Sequence, residues 1–124
     1  TPLSRAFNQA WMNASMGDQT ATPEPSGVAH LAYFQLLQYA DAVRRAGAFE
    51  PSAVIGELEG HEYSVGMGTQ TFRACDHQTQ RPVPVVRGLS KDAQYPGTYF
   101  ERLNITRDVG YGCDEAPASQ CAMN

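Results

Sequence analysis

Apolar residues recur at three- and four-residue spacing through Leu3, Ala6, Phe7, Ala10, Trp11 and Ala14, which predicts an amphipathic helix from Thr1 to about Ser15. Gly17 and Asp18 end it. Thr20 to Pro25 is polar and punctuated by prolines, so it reads as a loop. Ser26 is placed to cap a second helix whose apolar stripe is Ala29, Tyr33, Leu36, Ala40 and Val43, with Gln35, Gln38, Asp41 and Arg45 facing outward. Gly47 suits the left-handed position after its last turn. Pro51 opens a short third helix to Leu58, ending at Gly60.

The period then changes from that of a helix to that of a strand. Tyr63, Val65 and Met67 alternate with polar or small residues, and a strand is expected from Glu62 to Ala74. Gly66 and Gly68 suggest a bulge or a close backbone approach within it, and the phase shift at Phe72 and Ala74 agrees with a bulge. Asp76 to Pro82 reads as a hairpin connection and Val83 to Arg87 as a returning strand, held to an edge or irregular position by Pro84. Beyond Gly88 the pattern fades into turns, with one short helix expected near Tyr99 to Leu103. No internal repeat is visible.

Composition narrows the partners. A chain of 124 residues, 42% hydrophobic and 18% charged, fits one globular domain with a core of modest size. A net charge of -4 with scattered cations argues against nucleic acid, and Arg44-Arg45 reads as a solvated helix end. No stretch approaches the roughly 18 apolar residues that would span a bilayer. Nothing at Thr1 resembles a secretion signal. Three cysteines, Cys75, Cys113 and Cys121, allow one disulfide and one remaining thiol. Pairing within the tail and pairing of either tail cysteine with Cys75 are both open, and an oxidising compartment is favoured.

Candidate chemistry is sparse. Cys75-Asp76-His77 offers a thiol, a carboxylate and an imidazole, but nucleophile and base usually meet from separate segments, and no oxyanion-hole sequence follows. No paired metal-ligand spacing joins His61, His77, Cys75 and Asp76. Gly66-Met67-Gly68 is too short to be a phosphate loop. Asn13-Ala14-Ser15 and Asn104-Ile105-Thr106 match the glycosylation sequon, which arises often by chance. Asp76, His77 and Gln78 read as a structural turn. On residues alone the chain is α/β, with no catalytic centre, metal or cofactor expected.

The order of Tyr33 in a helix, Arg45-Ala46-Gly47 ahead of a Pro51-led helix, Leu58-Glu59-Gly60, and Arg73-Ala74-Cys75-Asp76-His77-Gln78 resembles the closing segment of type I periplasmic solute-binding proteins of the leucine/isoleucine/valine-binding type. The resemblance runs over nearly the whole chain, to the Cys121-Ala122-Met123 ending. It implies a fragment of a two-lobed fold with the ligand enclosed between the lobes. Residues 1–60 would be helices of the second lobe, 61–88 a crossover strand and hairpin returning to the first, and 89–124 an irregular, disulfide-containing tail. The chain would then be a carboxy-terminal piece of an extracytoplasmic receptor, periplasmic or extracellular, cut from its parent by truncation or proteolysis. By the same resemblance it would take a branched-chain amino acid, amide or small carboxylate by hinge closure and deliver it to the membrane permease of an ABC transporter. Aligning Tyr33 with the family's helix tyrosine puts a ligand-facing apolar position at Val28 or Ala29, with His30 as neighbour. A lone segment would leave its helical stripes exposed, so association with the rest of the parent or with a second copy is expected. The alternative is a small autonomous interaction domain stapled by a disulfide.

Overall fold

The computed structural model describes residues 2–18, 24–66, 68–95, 98–106 and 110–121. Met67, the 20–23 part of the expected loop, and the Ala122-Met123 ending lie outside the described residues. Three helices precede two small antiparallel sheets: α1 (Pro2–Ala14), α2 (Gly27–Ala46), α3 (Pro51–Leu58), β1 (Glu62–Val65), β2 (Gly68–Phe72), β3 (Thr79–Gln80), β4 (Val83–Gly88) and β5 (Phe100–Thr106). One sheet has the order β1-β2-β3 and the other pairs β4 with β5.

The helix ends follow local chemistry. Ser26 is in the extended region and its Oγ accepts from the Ala29 N–H at 3.1 Å, satisfying one of the donors that a helix start leaves unpaired. Gly47 takes φ 65° and its N–H bonds the Val43 carbonyl at 2.9 Å. Arg44 and Arg45 in the last turn complement the helix dipole, and both pair with Asp41. Arg45 also reaches Glu57 of α3, and His61 lies 3.7 Å from Asp41, so α2, α3 and the start of β1 are tied on one side.

The buried face of α2 is not the expected stripe. Phe34 and Ala42 are buried, with His30 and Gln38 partly buried beside them at four-residue steps. Tyr33, Leu36 and Ala40 are exposed, Leu36 at 66%. The physical reason is that Phe7 of α1 packs over the first half of α2, while α3 is the element that contacts α2 most extensively. Phe7 sits 5.2 Å from His30 in an edge-on contact, 5.2 Å from Tyr33 and 6.0 Å from Phe34, while His30 and Phe34 are 4.5 Å apart. Burying a ring such as Phe7 stabilises by about 1.5–3 kcal/mol.

The expected strand from Glu62 to Ala74 is two strands. It reverses between Gly66 and Gly68, so β1 and β2 pair as a hairpin with Tyr63 opposite Gln70 and Val65 opposite Gly68. Gly68 has φ 120°, a conformation open to glycine at little cost. Gly66 marks a close approach: a Cβ there would lie 2.6 Å from Ser4 Oγ and 2.7 Å from His30 Nε2. Ser4 Oγ donates to the Gly66 carbonyl at 2.6 Å, which fastens α1 to this turn.

Three further expectations change. The connection Asp76 to Pro82 contains β3, which pairs with β2 through Thr71–Gln80 and Phe72–Thr79. The returning strand Val83 to Arg87 forms as β4, but its partner is β5. The helix expected near Tyr99 to Leu103 is therefore β5: across from β4, Phe100 to Thr106 gains a ladder, interrupted at Leu103, that an isolated turn of helix cannot offer. At Gly66 the close backbone approach is the alternative that forms, and a bulge lies elsewhere, between Val85 and Val86. Every residue of β4 and β5 is exposed.

Candidate ligand site

The turn after β2 is a dense polar knot. The Arg73 N–H bonds the Gln78 carbonyl at 2.9 Å and the His77 N–H bonds the Arg73 carbonyl at 3.0 Å. Asp76 Oδ1 accepts from the Gln78 N–H at 3.1 Å, an Asx-type closure, and His77 takes φ 54°. The Arg73 guanidinium grips Asp76, donates to the Tyr111 carbonyl at 2.6 Å, and lies 5.2 Å from the Tyr111 ring centre. Hydrogen bonding from Arg73 holds the Asp76 carboxyl below its ordinary range, although burial opposes it.

Cys75 bonds Cys113, and Cys121 is an exposed free thiol. The tail is thus tied to the turn by one disulfide, the Arg73 to Tyr111 hydrogen bond and the cation–π contact. The disulfide also removes Cys75 from the role of nucleophile. His77 Nε2 bonds Glu59 Oε1 at 2.7 Å rather than facing a thiol. Among the described residues no three His, Cys, Asp or Glu side chains are grouped to hold a metal ion, and no helix is long and apolar enough to cross a membrane.

A cavity of about 390 Å³ lies between the first half of α2 and the β1-β2-β3 sheet. Its walls include His30, Leu31, Phe34 and Gln35 from the helix, Tyr63, Gln70, Phe72 and Thr79 from the sheet, and His77, Gln78 and Arg81 beside it. Period-two alternation puts Gln70 and Phe72 on one face of β2, and the cross-strand pairing sets Tyr63 beside Gln70. The Tyr63 hydroxyl donates to Gln70 Oε1 at 3.3 Å. Burial raises the Tyr63 pKa, with opposition from a Thr79 hydrogen bond and from the charge of Arg81. Burial, then the charge of Arg81, holds His30 below its ordinary pKa. Buried Gln70 Nε2 and His30 Nε2 have no hydrogen-bond partner among the described residues.

Of the residues named from sequence, His30, His77 and Gln78 line this cavity. Val28 and Ala29 do not: Val28 is 75% exposed, and the Ala29 N–H is engaged by Ser26. Asp76 is buried in the knot beside it. Sequence reasoning passed over Tyr63, Gln70, Phe72 and Arg81. Gln70 carried a usable signal, a polar residue two before Phe72 and in phase with it; Arg81 carried none.

The fold has relatives. A solved amino acid ABC transporter substrate-binding protein from Pseudomonas fluorescens Pf-5 superposes with a TM-score of 0.70 at 18% identity, covering 94% of this chain and 30% of that one. The chain thus spans under a third of that structure's length. No curated protein matches the chain. The periplasmic binding protein family profile matches residues 1–93 of the 124. The chain belongs to the type I periplasmic binding proteins, of the leucine/isoleucine/valine-binding kind.

Proposed function

We propose that the protein is the extracytoplasmic solute-binding component of an ABC transporter. It takes a small polar ligand, a branched-chain amino acid, amide or small carboxylate, by hinge closure and without covalent chemistry. The family match over residues 1–93 carries this reading. It is supported by the fold shared with an amino acid transporter's substrate-binding protein and by a polar cavity of ligand size beside His30. A disulfide agrees with a periplasmic or extracellular place. In this reading residues 1–60 belong to the second lobe, 61–88 cross back to the first, and 89–124 pack along it. The membrane permease is the partner.

The uncovered surfaces support association with the remainder of the receptor or with a second copy. The chain exposes 8916 Å², about 2,400 Å² more than the roughly 6,500 Å² of a compact monomer of its mass. That excess is larger than the roughly 800 Å² that each partner buries in a standard protein interface.

Two measurements test the proposal. Thermal-shift screening of the intact protein against amino acids, amides and small carboxylates should raise its melting temperature with a narrow group of them. Light scattering on this chain alone should give a dimer or larger. A stable monomer that no solute in the panel stabilises would overturn the proposal in favour of an autonomous disulfide-stapled domain.

A further inference from the structure

We propose that the cavity under α2 holds the carboxylate end of a solute through the Arg81 guanidinium and the Gln70 amide, and makes no provision for an ammonium group. This rests on the solute-binding reading and narrows it.

Charge comes first. Arg81 is the one side chain of fixed charge among the described lining residues, and no Asp or Glu is among them. Among the described residues Arg81 has no ion pair. Its field nonetheless reaches the cavity walls, since it acts on both His30 and Tyr63. A single uncompensated guanidinium matches one negative charge, and its planar fork matches a carboxylate.

Donor count points the same way. Gln70 is 4% exposed, its Oε1 is occupied by the Tyr63 hydroxyl, and its Nε2 has no partner. A buried donor without an acceptor is a standing cost, and an acceptor brought by a ligand removes it. An ammonium group would meet the reverse: it needs carboxylates or several free acceptors, the unpartnered His30 Nε2 supplies one at most, and it would stand near Arg81. Phe34 and Phe72 supply apolar wall for a short carbon chain. A volume of about 390 Å³ admits an acid of five or six carbons.

Calorimetry on the intact protein tests this with four branched aliphatic probes: isovalerate, its isostere isovaleramide, isopentylamine, and leucine, which is one carbon longer and carries an ammonium group beside its carboxylate. Isovalerate should bind at least about tenfold more tightly than the other three, the worth of a charge-assisted hydrogen bond. Arg81→Gln should remove at least about tenfold of the isovalerate affinity and a smaller part of that for isovaleramide, whose carbonyl oxygen accepts from the guanidinium but carries no charge. Gln70→Glu should abolish isovalerate binding, and Arg81→Lys should retain part of it. Far-UV circular dichroism and the melting temperature of each variant separate lost binding from lost folding. Isovaleramide, isopentylamine or leucine binding as tightly as isovalerate overturns the inference, as does an isovalerate affinity indifferent to Arg81. In those cases a solute is still bound and the receptor reading stands. If neither these probes nor the wider panel bind, both readings fall together.

Discussion

Single residues show how far one side chain's surroundings set its chemistry. His30 sits among Phe7, Phe34 and the backbone of Gly66, and burial is the larger reason that its pKa falls below 6.5. The sign follows directly. The unfolded chain takes up this proton more readily than the folded one, so the stability that neutral His30 represents is complete above 6.5 and is lost as pH falls below it. The urea midpoint should fall between pH 7 and 5, and His30→Phe, which keeps a ring but cannot ionise, should flatten that part of the profile. Gly66 is bounded by space: Gly66→Ala would force Ser4 and His30 apart, at a cost of about 1–3 kcal/mol in urea denaturation. An unchanged midpoint would mean that α1 yields freely at Ser4.

Elements differ in how they are stabilised. α2 is specified at both ends, by the Ser26 cap and by Gly47 at positive φ, and its sequence states both. Ser26→Ala should cost about 1 kcal/mol by chemical denaturation, with hydrogen exchange rising first in the opening turn. β4 and β5 are the opposite case. Two strands alone are marginal in water, and all their residues are exposed. Val85, Val86, Phe100 and Leu103 alternate poorly because a bulge shifts the pairing between Val85 and Val86. That shift is why periodicity read Tyr99 to Leu103 as a helix: the ladder that makes it a strand comes from Val86 to Leu89, outside the window that periodicity reads.

Across the whole molecule, one covalent link joins the tail to the β2 turn. Cys75 and Cys113 are 38 residues apart, and closing a loop of that length in the unfolded chain stabilises the fold by about 4 kcal/mol in the chain-entropy model. Replacing both with serine should lower stability by about 2–5 kcal/mol. Under native conditions an alkylating reagent should label Cys121 alone, and all three cysteines only after reduction and unfolding. Rapid labelling of Cys75 without reductant would contradict the disulfide and reopen its reading as a reactive thiol. The polar knot adds a pH dependence of the same sign as that of His30: Asp76, held low by Arg73, contributes above the ordinary carboxylate range, and that contribution disappears as acid protonates it.

By itself the sequence determined what local chemistry decides: the three helices, the caps of α2, the Asp76-His77-Gln78 turn, and through motif order the family. These features depend on residues within a few positions of one another, so their cause is written consecutively. Tertiary structure alone decided which face of α2 is buried, where the strand from Glu62 reverses, which tail cysteine meets Cys75, and that Gln70 and Arg81 share a cavity with His30. Tyr33, Leu36 and Ala40 form an apolar stripe by period, yet Leu36 stays exposed, because Phe7 of α1 closes over His30, Tyr33 and Phe34 and α3 packs along the helix elsewhere. Such choices are made by contacts between residues tens of positions apart, and periodicity along one segment carries no record of what will pack against it.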